Sequence, residues 1–137
     1  MRTILLATAC FLTAKVALAA GHGMAPGVTA SDQDVSGGTV TAETVVAPAN
    51  GWMVVHRTDA SMRPGPVVGY APLREGENID VTAILSEAVG TGDMLMLMIH
   101  GEDGGMMTGG FEYTLGATED GPIRVDGNLV MTTITAQ

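Results

Sequence analysis

Turn chemistry interrupts this sequence so often that no long helix fits between the breaks. From Thr39 onward, short runs rich in β-branched residues end every eight to twelve residues in Gly, Pro, Asn or Asp clusters. The runs are residues 39–46, 52–57, 67–71, 79–85, 94–100, 111–113 and 129–135. Between them lie Pro48-Ala49-Asn50-Gly51, the loop 58–66, the charged turn 74–78, Gly90-Thr91-Gly92-Asp93, Gly101 to Gly105, and Asp120-Gly121-Pro122. Asn50-Gly51 is a strong hairpin signal. Within runs the pattern alternates: Trp52, Val54 and His56 share one face, and Met53, Val55 and Arg57 the other. The best helical stretch, Leu85-Ser86-Glu87-Ala88, is too short. The reading is an all-β chain, an antiparallel β-sandwich of the immunoglobulin-like kind with about seven short strands. Hydrophobic residues make up 46% of the chain, enough for a core, but aromatics only 4%, so aliphatic and Met side chains must fill it.

The first nineteen residues read differently. Arg2 is a short positive segment, residues 4–14 are apolar, and Ala17-Leu18-Ala19 is a small-x-small cleavage pattern. Residues 1–19 are therefore read as a signal peptide, 20–38 as a disordered leader, and 39–137 as the domain. Cys10 follows Ala7-Thr8-Ala9, a weak imitation of a lipidation box that lies too early. Cleavage after Ala19 removes Cys10 and Lys15, the sole Cys and the sole Lys, and leaves four arginines against fifteen carboxylates. Thiol chemistry is then excluded. So acidic a chain lacks the electrostatic footprint of a nucleic-acid binder. No apolar run beyond the N-terminus reaches the length of a membrane span. The expected location is the periplasm or the cell exterior.

The order of the pieces carries a resemblance. It runs from Val45-Val46-Ala47-Pro48 and Gly51-Trp52-Met53-Val54-Val55-His56 to Gly65-Pro66-Val67-Val68-Gly69 and Gly76-Glu77-Asn78 with Val81-Thr82. Met98-Ile99-His100, Phe111-Glu112-Tyr113, Asp120-Gly121-Pro122-Ile123 and Gly127-Asn128 complete it. Over roughly residues 39–136 the chain resembles a secreted domain of unknown function common in haloarchaeal surface proteins and also found in bacterial exported proteins. The resemblance implies an extracytoplasmic β-sandwich and no established activity. It also matches His100 to a family histidine independent of any Met pattern, which favours a structural role for that residue. The chain departs from the family in the Met content of residues 94–107.

That departure holds the main chemical signal. Met94-Leu95-Met96-Leu97-Met98-Ile99-His100 alternates, so Met94, Met96, Met98 and His100 share one face of a strand. Met106 and Met107 follow in a Gly-rich loop. Thioethers with an imidazole form a soft donor set suited to Cu(I). Core packing is the leading reading for Met94, Met96 and Met98, since a central strand buried on both faces also reads as a continuous apolar run. For Met106 and Met107 the two readings balance. Cleavage after Ala19 would also expose Ala20-Gly21-His22, whose amine, amides and imidazole make a square-planar Cu(II) chelate, with Met24 two residues on. His56 is read as a satisfied structural histidine. Glu102-Asp103, Glu119-Asp120, Asp126 and Asn128 lack calcium-loop spacing and read as solvated turns.

No nucleophile elbow, zinc-protease helix, phosphate loop or dinucleotide fingerprint occurs. The sequence thus points to an exported, non-catalytic β-sandwich module for interaction or envelope structure, with no cofactor and a protein partner of unknown identity. The alternative is a periplasmic copper-binding or copper-carrying protein using Met and His ligands.

Overall fold

In a computed structural model, residues 23–137 are described, so the segment read as a signal peptide, Cys10 and His22 lie outside the described residues. The chain forms β1 (Gly27–Thr29), β2 (Thr39–Ala47), β3 (Gly51–Thr58), β4 (Val67–Leu73), β5 (Gly76–Leu85), β6 (Met94–Gly101), β7 (Arg124–Val125), β8 (Asn128–Leu129) and β9 (Met131–Thr135). No helix occurs among the described residues, and none is long and apolar enough to cross a membrane. The expected all-β, antiparallel class is what the chain adopts. Seven strands form one antiparallel sheet in the order β1-β2-β5-β4-β3-β6-β9, and β7 and β8 make a separate hairpin.

The sheet curls until its ends nearly meet. Gln33 bridges Ala136 in parallel, Gln137 N–H donates to the Gln33 carbonyl at 2.9 Å, and Thr135 N–H donates to Asp32 Oδ1 at 2.8 Å. Opposite this closure the sheet is thin. β4 and β5 share only the pairs Gly69↔Leu85 and Tyr70↔Ile84, whereas β3 and β6 stay in register from Gly51↔Gly101 to Thr58↔Met94. The short seam lets the sheet fold into two layers, β1-β2-β5 and β4-β3-β6-β9, a nearly closed, barrel-like sandwich. Between the layers, Val40, Ala42, Val45, Ala83 and Leu85 meet Met53, Val55, Leu95, Leu97 and Ile99 in one buried cluster. Aliphatic side chains and one methionine, Met53, fill it, with no aromatic among them.

Three local expectations are corrected. The stretch read as a disordered leader supplies β1, which pairs with β2 from Gly27↔Val46 to Thr29↔Thr44. Val35 from the same stretch is buried in the core. Small residues there serve an edge strand, where a neighbour supplies the hydrogen bonds and propensity matters little. Residues 111–113 form no strand; they lie in a long cap between β6 and β7. Gly76-Glu77-Asn78, read as part of a turn, opens β5 and pairs with Ala47, Val46 and Val45.

Candidate functional site: a capped histidine pair

The alternation read in β6 has two different destinations. Leu95, Leu97 and Ile99 enter the interlayer core. Met96, Met98 and His100 face outward, directly opposite His56, Val54 and Trp52 of β3. In most sandwiches that outer face would be wet. Here residues 102–123 fold over it as a cap, and Met96, Met98, His56 and His100 are all at most 1% exposed.

Aromatic rings supply the underside of the cap. Tyr113 stands edge-on to His100, with centroids 4.5 Å apart, and to His56 at 5.9 Å. Phe111 stacks on Tyr70 of β4 at 4.3 Å and meets Trp52 at 5.6 Å. Trp52 also meets Tyr70 edge-on at 5.7 Å. The indole N–H of Trp52 is buried without an acceptor, held among these rings. The aromatics among the described residues, Trp52, Tyr70, Phe111 and Tyr113, are thus concentrated at one place, over the histidines.

The two imidazoles are oriented by backbone carbonyls. His56 Nδ1 lies 2.8 Å from the Gly65 carbonyl, and His100 Nδ1 lies 2.7 Å from the Asp120 carbonyl. A carbonyl oxygen only accepts, so each Nδ1 must carry the proton. In the neutral rings, each Nε2 is then a bare lone pair. These two nitrogens face each other at 3.3 Å. Burial lowers the pKa of His100 to about 4, reinforced by the neighbouring His56 and opposed by the hydrogen bond to Asp120. Burial likewise lowers His56, opposed by its bond to Gly65. Both rings are therefore neutral at ordinary pH, and two acceptors meet with no donor between them.

The loops holding those carbonyls are tightly built. Gly65 N–H donates to the Arg57 carbonyl at 2.7 Å, and Arg57 is tied to Glu87 and, at 3.0 Å, to Asp93. A Cβ on Gly65 would sit 2.7 Å from the Arg57 carbonyl oxygen, so any side chain there must move the loop. Gly65→Ala is expected to pull the carbonyl off His56 and cost about 1–2 kcal/mol, the worth of a buried hydrogen bond left unmade. Urea unfolding and the NMR signal of the His56 Nδ1 proton check it; an unchanged proton signal would show that the carbonyl is not the orienting partner. On the other side, Asp120 is buried, and its Oδ2 accepts the Glu112 N–H at 2.8 Å, pinning the cap to itself.

The remaining predicted residues are dispersed. Met94 starts β6 opposite Thr58 and Thr135 and is half-buried. Met106 and Met107 lie on the outside of the cap, 97% and 58% exposed, and do not join Met96 and Met98 under it. Met24 is exposed beside the β2–β5 end, near Ala47 and Glu75. The acidic turns gather no group of three or more His, Cys, Asp or Glu fit for a metal among the described residues. Instead Glu102 Oε1 accepts the Gly109 N–H at 2.8 Å inside the cap. Sequence reasoning read His56 as a structural histidine and did not join it to His100. Its parity with Trp52 and Val54 was visible, but its meeting with His100 depends on β3 lying beside β6, with two strands of sequence between them.

A family model described as a domain of unknown function, DUF7282, matches residues 26–137. The chain belongs to that family. Its matched region begins just before β1, so β1, the sheet and the cap all lie within the DUF7282 domain. No curated protein and no solved structure matches the chain.

Proposed function

We propose that this DUF7282 domain is an exported, non-catalytic module whose work is binding another exported or envelope protein. Residues 1–19, with their charged start, apolar middle and Ala17-Leu18-Ala19 ending, support export. The observation that carries the binding reading is an apolar patch outside the β4–β5 seam. Ile84 is 77% exposed, and its direct cross-strand partner Tyr70 is 49% exposed. They border a shallow hollow with Val67, Gly69 and Ser86. An Ile so exposed gains nothing for the fold, and the stacked Tyr70–Phe111 pair gives the patch a rigid floor. The chain carries fifteen acidic residues against six basic ones, so the fitting partner presents an apolar side chain flanked by Lys or Arg.

Ile84→Asp tests this. It should leave the thermal midpoint within the range of a surface change, about 0.5 kcal/mol. It should also abolish retention of an envelope or secreted protein that binds the immobilised wild-type domain, once that protein is purified and its affinity measured. A partner bound equally by both forms would move the interface elsewhere. The absence of any retained protein would sink the binding reading.

The second reading, copper held by Met and His, is supported by one arrangement, the buried His56–His100 pair.

A further inference from the structure

Two bare imidazole nitrogens 3.3 Å apart in a dry site leave something unpaired. Burying acceptors without a donor costs free energy. A proton shared between the rings would supply a donor but create a buried cation. Among the described residues no carboxylate forms an ion pair with either ring; the ion pairs are those of Arg57 on the surface. A metal ion satisfies both lone pairs at once. Two nitrogens 3.3 Å apart, each about 2.0–2.1 Å from one ion, subtend roughly 105–110° at it, the angle of a tetrahedral or distorted trigonal site. Each ring also has its other nitrogen on a backbone carbonyl, the outer-shell contact that fixes tautomer and direction in histidine metal sites.

The register supplies a third donor. His56 and His100 stand on a diagonal of the β3–β6 face, and the row between them is Val54↔Met98. By register Met98 therefore stands beside the row over which the rings meet, with Met96 one row away opposite His56. We propose that His56, His100 and Met98 form a buried binding site for one Cu(I) ion. This deepens the copper reading and is independent of the Ile84 patch. Two imidazoles and a thioether are neutral, soft-to-borderline ligands that suit Cu(I). A singly charged ion is also the cheaper one to bury among neutral ligands, since the Born cost grows with the square of the charge. The cap excludes water from the ion, and its opening controls loading.

The test is anaerobic Cu(I) titration of the full exported chain against a chromogenic chelator, in a His22→Ala background that silences the N-terminal chelate. The expected result is one Cu(I) per chain, with an X-ray absorption spectrum showing two nitrogen neighbours and one sulfur. Trp52, the only tryptophan and the direct strand neighbour of His100, should change its fluorescence as the ion binds. Met98→Leu conserves core volume, so the fold should survive. It should lose the sulfur shell and at least the roughly 10–100-fold in affinity that losing an outer-shell contact costs, and His56→Gln should lose no less. If His56→Gln fails to fold, the Met98→Leu titration and the wild-type spectrum decide alone. A folded wild-type chain that never competes with the chelator overturns the site, as does binding unchanged in Met98→Leu with no sulfur neighbour. Tight Zn(II) binding without Cu(I) binding overturns the choice of ion.

Discussion

In the metal-free chain, kept so by a chelator, stability should fall by about 3 kcal/mol as pH is lowered from 6.5 to 4, through His100 alone. The sign follows from linkage. Its folded pKa is about 4 against an ordinary 6.5, because burial disfavours the imidazolium. Above pH 6.5 the ring is neutral in both states and contributes no pH dependence. Between 6.5 and 4 the unfolded chain binds a proton that the folded chain refuses, so unfolding gains about 1.4 kcal/mol per pH unit. Below 4 the folded ring titrates as well and the loss levels off. His56 is lowered by the same cause and adds to the loss with the same sign. Asp34, Asp59 and Asp93 are held below the usual carboxylate range by local hydrogen bonds, so their contribution is lost at still lower pH. Urea midpoints measured from pH 7 to 4 check the slope. In His100→Gln much of it should vanish, and a wild-type midpoint flat over that window would refute the buried neutral pair.

Gly51→Ala should be among the most damaging single-methyl changes in the chain. Gly51 is paired with Gly101 where β3 and β6 begin their register, and a Cβ there would lie 2.2 Å from the His100 carbonyl oxygen. The obstacle is backbone of the adjacent strand, so it cannot swing aside as a side chain would. The strands must part, at a cost of about 3 kcal/mol, the upper end for overpacking. For a domain of this size that is a drop of about 10–15 °C in melting temperature. Because the displaced carbonyl belongs to His100, the histidine pair should also lose its alignment. Gly37→Ala, with open space around the added methyl, is the control and should change stability by less than about 0.5 kcal/mol. Equal melting temperatures for the two variants would mean that β3 and β6 are not so closely apposed.

The interior of the sheet was legible in the sequence because alternation and turn chemistry agree there. Residues 94–100 show it best: the two residue types predicted to face apart do so, Leu95 and Leu97 into the core and Met96 and Met98 under the cap. Readings failed where tertiary contacts override local preference. β1 exists because β2 offers an edge, not because Gly27-Val28-Thr29 favours extension. Pro72, just past the run read at residues 67–71, lies within β4 because beyond Tyr70 that side of β4 has no partner on β5, where a missing N–H costs little. Phe111 and Tyr113 look like strand residues but are spent as a lid over the rings, a use that alternation cannot express. The site itself was half visible. His100 and its Met neighbours stood out in one run, whereas His56 acquires meaning only from strand order.

Tyr70 belongs to two surfaces. Half-exposed, it is the cross-strand partner of Ile84 at the seam, while its ring is stacked on Phe111 of the cap. Phe111 in turn lies 6.4 Å from both His100 and Tyr113, ring centre to ring centre. Opening the cap therefore removes the support of half the exposed patch. If the proposed ion holds the cap closed and the proposed partner seats on Ile84, the two bindings are coupled, and by thermodynamic reciprocity equally in both directions. On that proposal, a single aromatic stack is the link by which the occupancy of the interior reaches the surface.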